Sequence, residues 1–170
     1  MKKVAIIGAG ISGLFIANLF KRNPNYKITI YEKNISINSE ESYGIQLSVN
    51  SIKLLNKIEF NKFQNDKKFT PNKVNFFSNK NLNKICELNI ASFNTEDCKY
   101  TTLKRSTLIN FLKKDLEDSI KTNYNISKIN QQNNLIQLSF ENNETSEFEY
   151  LIISDGVFSK SRNLILKNPI

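Results

Sequence analysis

The chain has 170 residues, 39% hydrophobic and 24% charged, which suits one globular domain with a real core and excludes a disordered chain. It has no histidine and two cysteines, Cys86 and Cys98, too far apart for a C-x-x-C motif. That excludes His-based triads, His general bases, most zinc sites and a disulfide framework, and no metal site is expected. The formal charge of +8 comes from lysines scattered singly or in pairs such as Lys67-Lys68 and Lys113-Lys114. No arginine-rich stripe with interleaved aromatics appears, so the surplus reads as a solvated basic surface and not as a nucleic-acid interface.

Residues 4–7, Val-Ala-Ile-Ile, form a short apolar run of the kind that makes a strand buried on both faces. Gly8, Gly10 and Gly13 follow with G-x-G-x-x-G spacing where strand turns into helix. The first glycine permits the tight turn, the second lets backbone approach a pyrophosphate, and the third lets helix pack closely on strand. Ile11, Leu14, Phe15 and Leu19 then recur at helical spacing, with Ser12 in the first turn. Residues 27–31 predict a second strand, and Glu32 at its end is placed to accept from ribose hydroxyls, roughly 20 residues beyond the glycines. A targeting segment is the competing reading, because Lys2 and Lys3 precede a mostly apolar run to Phe20. Against it, Gly8 and Gly10 break the run, Asn18 lies within it, and no Ala-x-Ala-like cleavage site follows.

Residues 34–41 are polar and predict a loop. Tyr43-Gly44-Ile45-Gln46-Leu47 leads into a helix with Ser48 as N-cap and Val49, Ile52 and Leu55 on one face. Residues 73–78 and 85–90 predict short strands around the turn Asn79-Lys80-Asn81. The spacing of Leu108, Phe111, Leu112 and Leu116 predicts a helix over 103–118, with Arg105 in its first turn. A cation there is unfavourable towards the helix dipole, so Arg105 is either solvated or faces an anion. Residues 126–130, 135–140 and 148–153 predict three strands, the last nearly all apolar and so central. It runs into Ser154-Asp155-Gly156-Val157-Phe158-Ser159-Lys160-Ser161-Arg162. A carboxylate and a glycine at the carboxyl end of a buried strand sit where open α/β sheets bind ligands, although Asp-Gly is also an ordinary turn pair.

Together these residues resemble the FAD-dependent aromatic-ring hydroxylases, flavoprotein monooxygenases of the p-hydroxybenzoate hydroxylase type that include ubiquinone-biosynthesis hydroxylases. Gly8-Ala9-Gly10-Ile11-Ser12-Gly13-Leu14 with Glu32 is similar to the family's FAD-binding turn and ribose acid, next to Lys33. Gly44-Ile45-Gln46-Leu47 with Asn50 and Leu54-Leu55 resembles its pattern after the second strand. Arg105 with Leu108 and Leu112 resembles its R-x-x-L-x-x-x-L helix, whose arginine reaches towards the flavin. Asp155-Gly156 with Ser159 and Arg162 resembles the Asp-Gly motif that contacts the FAD pyrophosphate region and bears on NAD(P)H binding. By the same correspondence Ile126 passes its backbone near the adenine.

The resemblance implies a Rossmann-like α/β FAD-binding domain over 1–170, with a parallel sheet, a β-meander crossover and a partial substrate-domain insertion near 60–100. It implies FAD as cofactor, NAD(P)H as co-substrate and O₂ with a small aromatic or quinone-like molecule, hydroxylated through a flavin hydroperoxide. Which residues are catalytic is left open, and none is named. A cytoplasmic protein is expected, with membrane association only for a quinone precursor. The family continues beyond the Asp-Gly motif, so a fragment or split product ending at Pro169-Ile170 is expected. The alternatives are another FAD- or NAD-dependent oxidoreductase and a non-catalytic dinucleotide-binding module.

Overall fold

A computed structural model of the chain describes residues 1–37 and 43–166. The expected loop is therefore described only as far as Ile37, and the chain end at Pro169-Ile170 lies outside the described residues. In chain order the elements are β1 (Lys2–Ile7), α1 (Ile11–Lys21), β2 (Tyr26–Tyr31), β3 (Gly44–Leu47), α2 (Val49–Leu55), β4 (Lys73–Phe77) and β5 (Lys84–Asn89). They continue with β6 (Thr101–Lys104), α3 (Arg105–Lys113), β7 (Ile120–Lys121), β8 (Ile126–Gln132), β9 (Leu135–Phe140), β10 (Thr145–Phe148), β11 (Tyr150–Ile153) and α4 (Lys160–Ile165). Residues 1–39 with 109–170 form one compact unit, and residues 40–108 a second.

The first unit holds a parallel sheet of order β11-β1-β2-β7. Its centre is β1, where Val4, Ala5, Ile6 and Ile7 are all buried, as a strand covered on both faces requires. Ala5, Ile7 and Tyr31 point to the face covered by the antiparallel meander β10-β9-β8. There Tyr31 packs on Phe140, ring centroids 4.5 Å apart, and meets Phe148 edge-on. On the helical side α1 packs along β1 and β2, burying Gly13, Leu14 and Ala17. The expected stripe is turned: Leu19 is exposed, because the buried face is centred on Gly13, the residue that must approach the strand. Asn18, anomalous in an apolar run, donates its Nδ2 to Leu14 O and Leu112 O at 2.9 and 2.7 Å. Residues 2–21 are thus strand, turn and helix, and no helix among the described residues is long and apolar enough to cross a membrane.

Two boundaries differ from expectation. The strand expected over 148–153 is divided at Glu149, where the chain leaves the meander and enters the parallel sheet. Glu149 N donates to Lys3 O (3.1 Å) while Glu149 Oε2 accepts from Lys3 N (2.7 Å), so the bend is fastened to β1. The helix expected over 103–118 is shorter, because Leu103 and Lys104 belong to β6 and pair with Ile45 and Gly44 of β3. It ends at Lys113, and a separate 3₁₀ turn spans Glu117–Ser119.

The second unit contains the β3–β6 pair, α2 and the β4–β5 hairpin. Ser48 caps α2, its Oγ accepting from Ser51 N at 3.4 Å, and Ile52 and Leu55 are buried as the spacing predicts.

Candidate functional site

The turn from β1 to α1 explains its own glycines. Gly8 has φ +96°, and a Cβ there would lie 2.5 Å from Ser154 O. A Cβ on Gly13 would lie 2.0 Å from Gly8 O, so only glycine lets the helix approach the strand. Gly10 is the opposite case: nothing lies within 4 Å of a Cβ there. It caps α1 with no side-chain hydrogen bond, and the first turn, with Ile11 and Ser12, carries no acidic residue. The amides of that turn are left to an external anion, beside open space that a side chain at Gly10 would fill.

Glu32, at the end of β2, is buried. Its Oε2 accepts from Ala9 N at 2.9 Å, and its Oε1 accepts from Asn34 N and Nδ2 at 3.0 and 2.8 Å. The acid therefore braces the glycine turn from one neighbouring strand. Oε2, with one bond, keeps a further lone pair for a hydroxyl donor.

Asp155 follows β11, the neighbour of β1 on the other side. Its Oδ2 accepts from Ser161 N at 3.1 Å, and Ser159 caps α4 by accepting from Arg162 N at 3.0 Å. Asp155 Oδ1 is buried without a partner among the described residues. Burial works against ionisation of Asp155, but the Ser159 hydroxyl and the Ser161 amide and hydroxyl outweigh it and hold the carboxyl below the usual aspartate range. Gly156 takes φ +89° with open space around it, a conformation that turns the chain directly after the carboxylate.

These residues line two clefts of the first unit. Gly8, Glu32, Lys33, Ile126 and Asp155 line one, with Asn125, Phe158 and Lys160. Ser12, Asp155, Gly156 and Arg162 line the other. Asp155 borders both. Gly44 and Arg105 lie in the second unit. There Gly44 pairs with Lys104, Arg105 N donates to Tyr43 O at 2.9 Å, and the guanidinium lies 5.9 Å from the Tyr43 ring centroid.

Residues 6–41 match the NAD(P)-binding Rossmann-like domain family. No curated protein matches the chain in sequence. Among solved structures the chain is similar to 2,6-dihydroxypyridine-3-hydroxylase from Arthrobacter nicotinovorans, at 17% identity and TM-score 0.78, over 97% of this chain and 39% of that one. It is similar to Klebsiella pneumoniae HpxO complexed with FAD and uric acid, at 17% identity and TM-score 0.77, over 91% and 39%. It is also similar to a protein of Photorhabdus luminescens subsp. laumondii assigned as an FAD containing monooxygenase, at 21% identity and TM-score 0.75, over 97% and 42%. The fold is that of the N-terminal part of flavin monooxygenases. The chain spans about two fifths of the length of these structures. The expected α/β class, parallel sheet and meander crossover all hold.

Sequence reasoning missed two contributors. Ser154 Oγ donates to Ile7 O at 2.8 Å and lies 3.4 Å from Gly8 O, tying β11 to the base of the glycine turn. Its only signal was a hydroxyl directly before the Asp155-Gly156 pair. Asn34 holds Glu32 from two residues away, and an amide in an Asn-rich loop gave no signal at all.

Proposed function

We propose that the chain is the FAD-binding part of a flavin monooxygenase that uses NAD(P)H and O₂ to hydroxylate an aromatic or quinone-like small molecule. The observation that carries this reading is the uncapped, open turn at Gly10, with Glu32 on the strand to one side and Asp155 on the strand to the other. The amides of the first turn of α1 hold the pyrophosphate, and Glu32 accepts from the ribose hydroxyls. The backbone at Ile126 and the side chain of Lys33 border the adenine end, and Asp155 and Gly156 serve the flavin half. Bound FAD supplies the redox and oxygen-activating chemistry, and the protein binds it, orients it and excludes water. That division needs no histidine. The orphaned Asp155 Oδ1 and the space at Gly10 both favour an extended dinucleotide along this edge of the sheet. We assign residues 60–100 to the first part of a substrate domain.

A second reading, an NAD-dependent oxidoreductase or a non-catalytic NAD-binding module, is favoured by the family match over residues 6–41. Titrating the purified chain separately with FAD and NAD⁺ distinguishes the two. Retention of FAD with structured flavin absorbance is expected. Gly10→Ala should weaken FAD binding at least about tenfold, about 1.4 kcal/mol. It should leave stability within about 1 kcal/mol, because its methyl meets no protein atom within 4 Å. Binding of NAD⁺ without FAD would overturn the monooxygenase reading.

A further inference from the structure

A cleft on the meander-covered side of the first unit is unrelated to the glycine turn. It has a volume of about 280 Å³ and is lined by Lys3, Lys27, Lys121, Thr29, Ser146 and Glu147, among others. Lys3 and Lys27 are direct partners on adjacent parallel strands, so their side chains leave the same face. Lys121 pairs with Tyr31 on the next strand, and its Nζ lies 5.8 Å from the Tyr31 ring centroid and 5.4 Å from that of Tyr124. Further along the same face Ala5, Ile7 and Tyr31 form the apolar core under the meander. Where that core stops, the face changes to three lysines and a threonine.

Two like charges directly opposite on adjacent strands are unfavourable, and no ion pair among the described residues relieves any of the three lysines. Glu147 is the one carboxylate lining the cleft. The Glu149 carboxylate is held by the Lys3 backbone amide. Three lysines therefore line the cleft against one glutamate, together with Thr29 and Ser146. Neighbouring strands lie about 4.8 Å apart and residues rise about 3.3 Å along each. The lysines thus spread over more than one ion's width, and a single monoanion would leave some of them unmet. A chain of phosphates has the charge and the length to engage more than one of them, with Thr29 and Ser146 beside it.

We propose that this cleft binds a compact oligophosphate, either free or carried by a nucleotide. The cleft shares Tyr31 with the cleft beside the glycine turn but none of Gly8, Glu32 or Asp155. The test is a titration of the ¹⁵N-labelled full chain with pyrophosphate at low ionic strength, repeated with ADP. Saturable shifts are expected at the amides of Thr29, Lys121 and Ser146, weakening as salt rises. Tighter binding of ADP at these amides would identify a nucleotide-borne phosphate, and equal or weaker binding a free one.

Lys27→Gln/Lys121→Gln should lower affinity at these amides at least tenfold. Any shifts at residues 10–13 should persist, since these report on the glycine turn. Lys57→Gln, in the other unit, should change nothing. Lys27→Gln alone removes the opposed like-charge pair, so it keeps the fold if the double variant does not, and it should weaken binding at least threefold. The proposal is overturned by shifts confined to residues 10–13, by unchanged affinity in the lysine variants, or by equal weakening in Lys57→Gln.

Discussion

A hydroxyl on the neighbouring strand holds the glycine turn at its base. Ser154 Oγ donates to Ile7 O at 2.8 Å, and a Cβ on Gly13 would come within 2.7 Å of Ser154 Oγ. Ser154→Ala should lower stability by about 1 kcal/mol in urea unfolding, the ordinary worth of one such bond. Gly13→Ala should cost more than about 2 kcal/mol, because the clash at 2.0 Å is with the rigid backbone of Gly8. Asp155 adds a pH signature. Its carboxyl is held below the usual range when folded, so its contribution to stability is present above the unfolded value and lost as pH falls through the folded one. Chemical denaturation from about pH 5 to about pH 3 should therefore weaken the native chain more than Asp155→Asn. Gly8 and Gly13 were legible because backbone geometry at the turn requires them, and Gly10 because it falls at the middle of their spacing. Ser154 and Asn34 were not, because each acts on a group whose position only the folded chain supplies.

Turn chemistry sets the register of the meander that covers the sheet. Asn133 and Asn134 have φ of +48° and +63° between Gln132 and Leu135, which pair directly. This is a two-residue hairpin with both central residues left-handed, the conformation whose twist suits its flanking strands. Asn134→Ala should cost about 1 kcal/mol, while Asn134→Gly should not destabilise, both read from thermal melting. Elements defined by local signals could be read from the sequence: the Ser48 cap and the buried strand β1. The divided strand at Glu149 could not. A lone charged residue within an apolar run does not by itself end a strand, and it is the change of partner from β9 to β1 that marks the boundary. For the same reason Leu103 looked helical, since its partner in β3 lies about sixty residues earlier in sequence.

The second unit carries an unpartnered apolar surface. On β4 and β5, Val74 pairs with Leu88 and Phe76 with Cys86, so these four share one face. Phe76 and Leu88 are 44% and 49% exposed. A lone two-stranded hairpin is marginal in water, and on the opposite face Lys73 Nζ lies 3.2 Å from Glu87 Oε2. The isolated chain should therefore bind the dye ANS, and Phe76→Ser/Leu88→Thr should reduce the signal without changing helix content.

The strand order also governs the timing of synthesis. β1 lies between β2, which follows it closely, and β11, whose partners begin at Tyr150. A nascent chain can form the β1–α1–β2 unit early, but it lacks one flank of its central strand until nearly everything described here has left the ribosome. Until then Ile7 O has no Ser154, and Gly8 has no wall against which to turn. Such long-range closure is slow, and it leaves an apolar strand edge exposed while it waits. The first residues translated thus carry the most recognisable motif of the chain, yet the turn at Gly8 is among the last parts to gain its native neighbours.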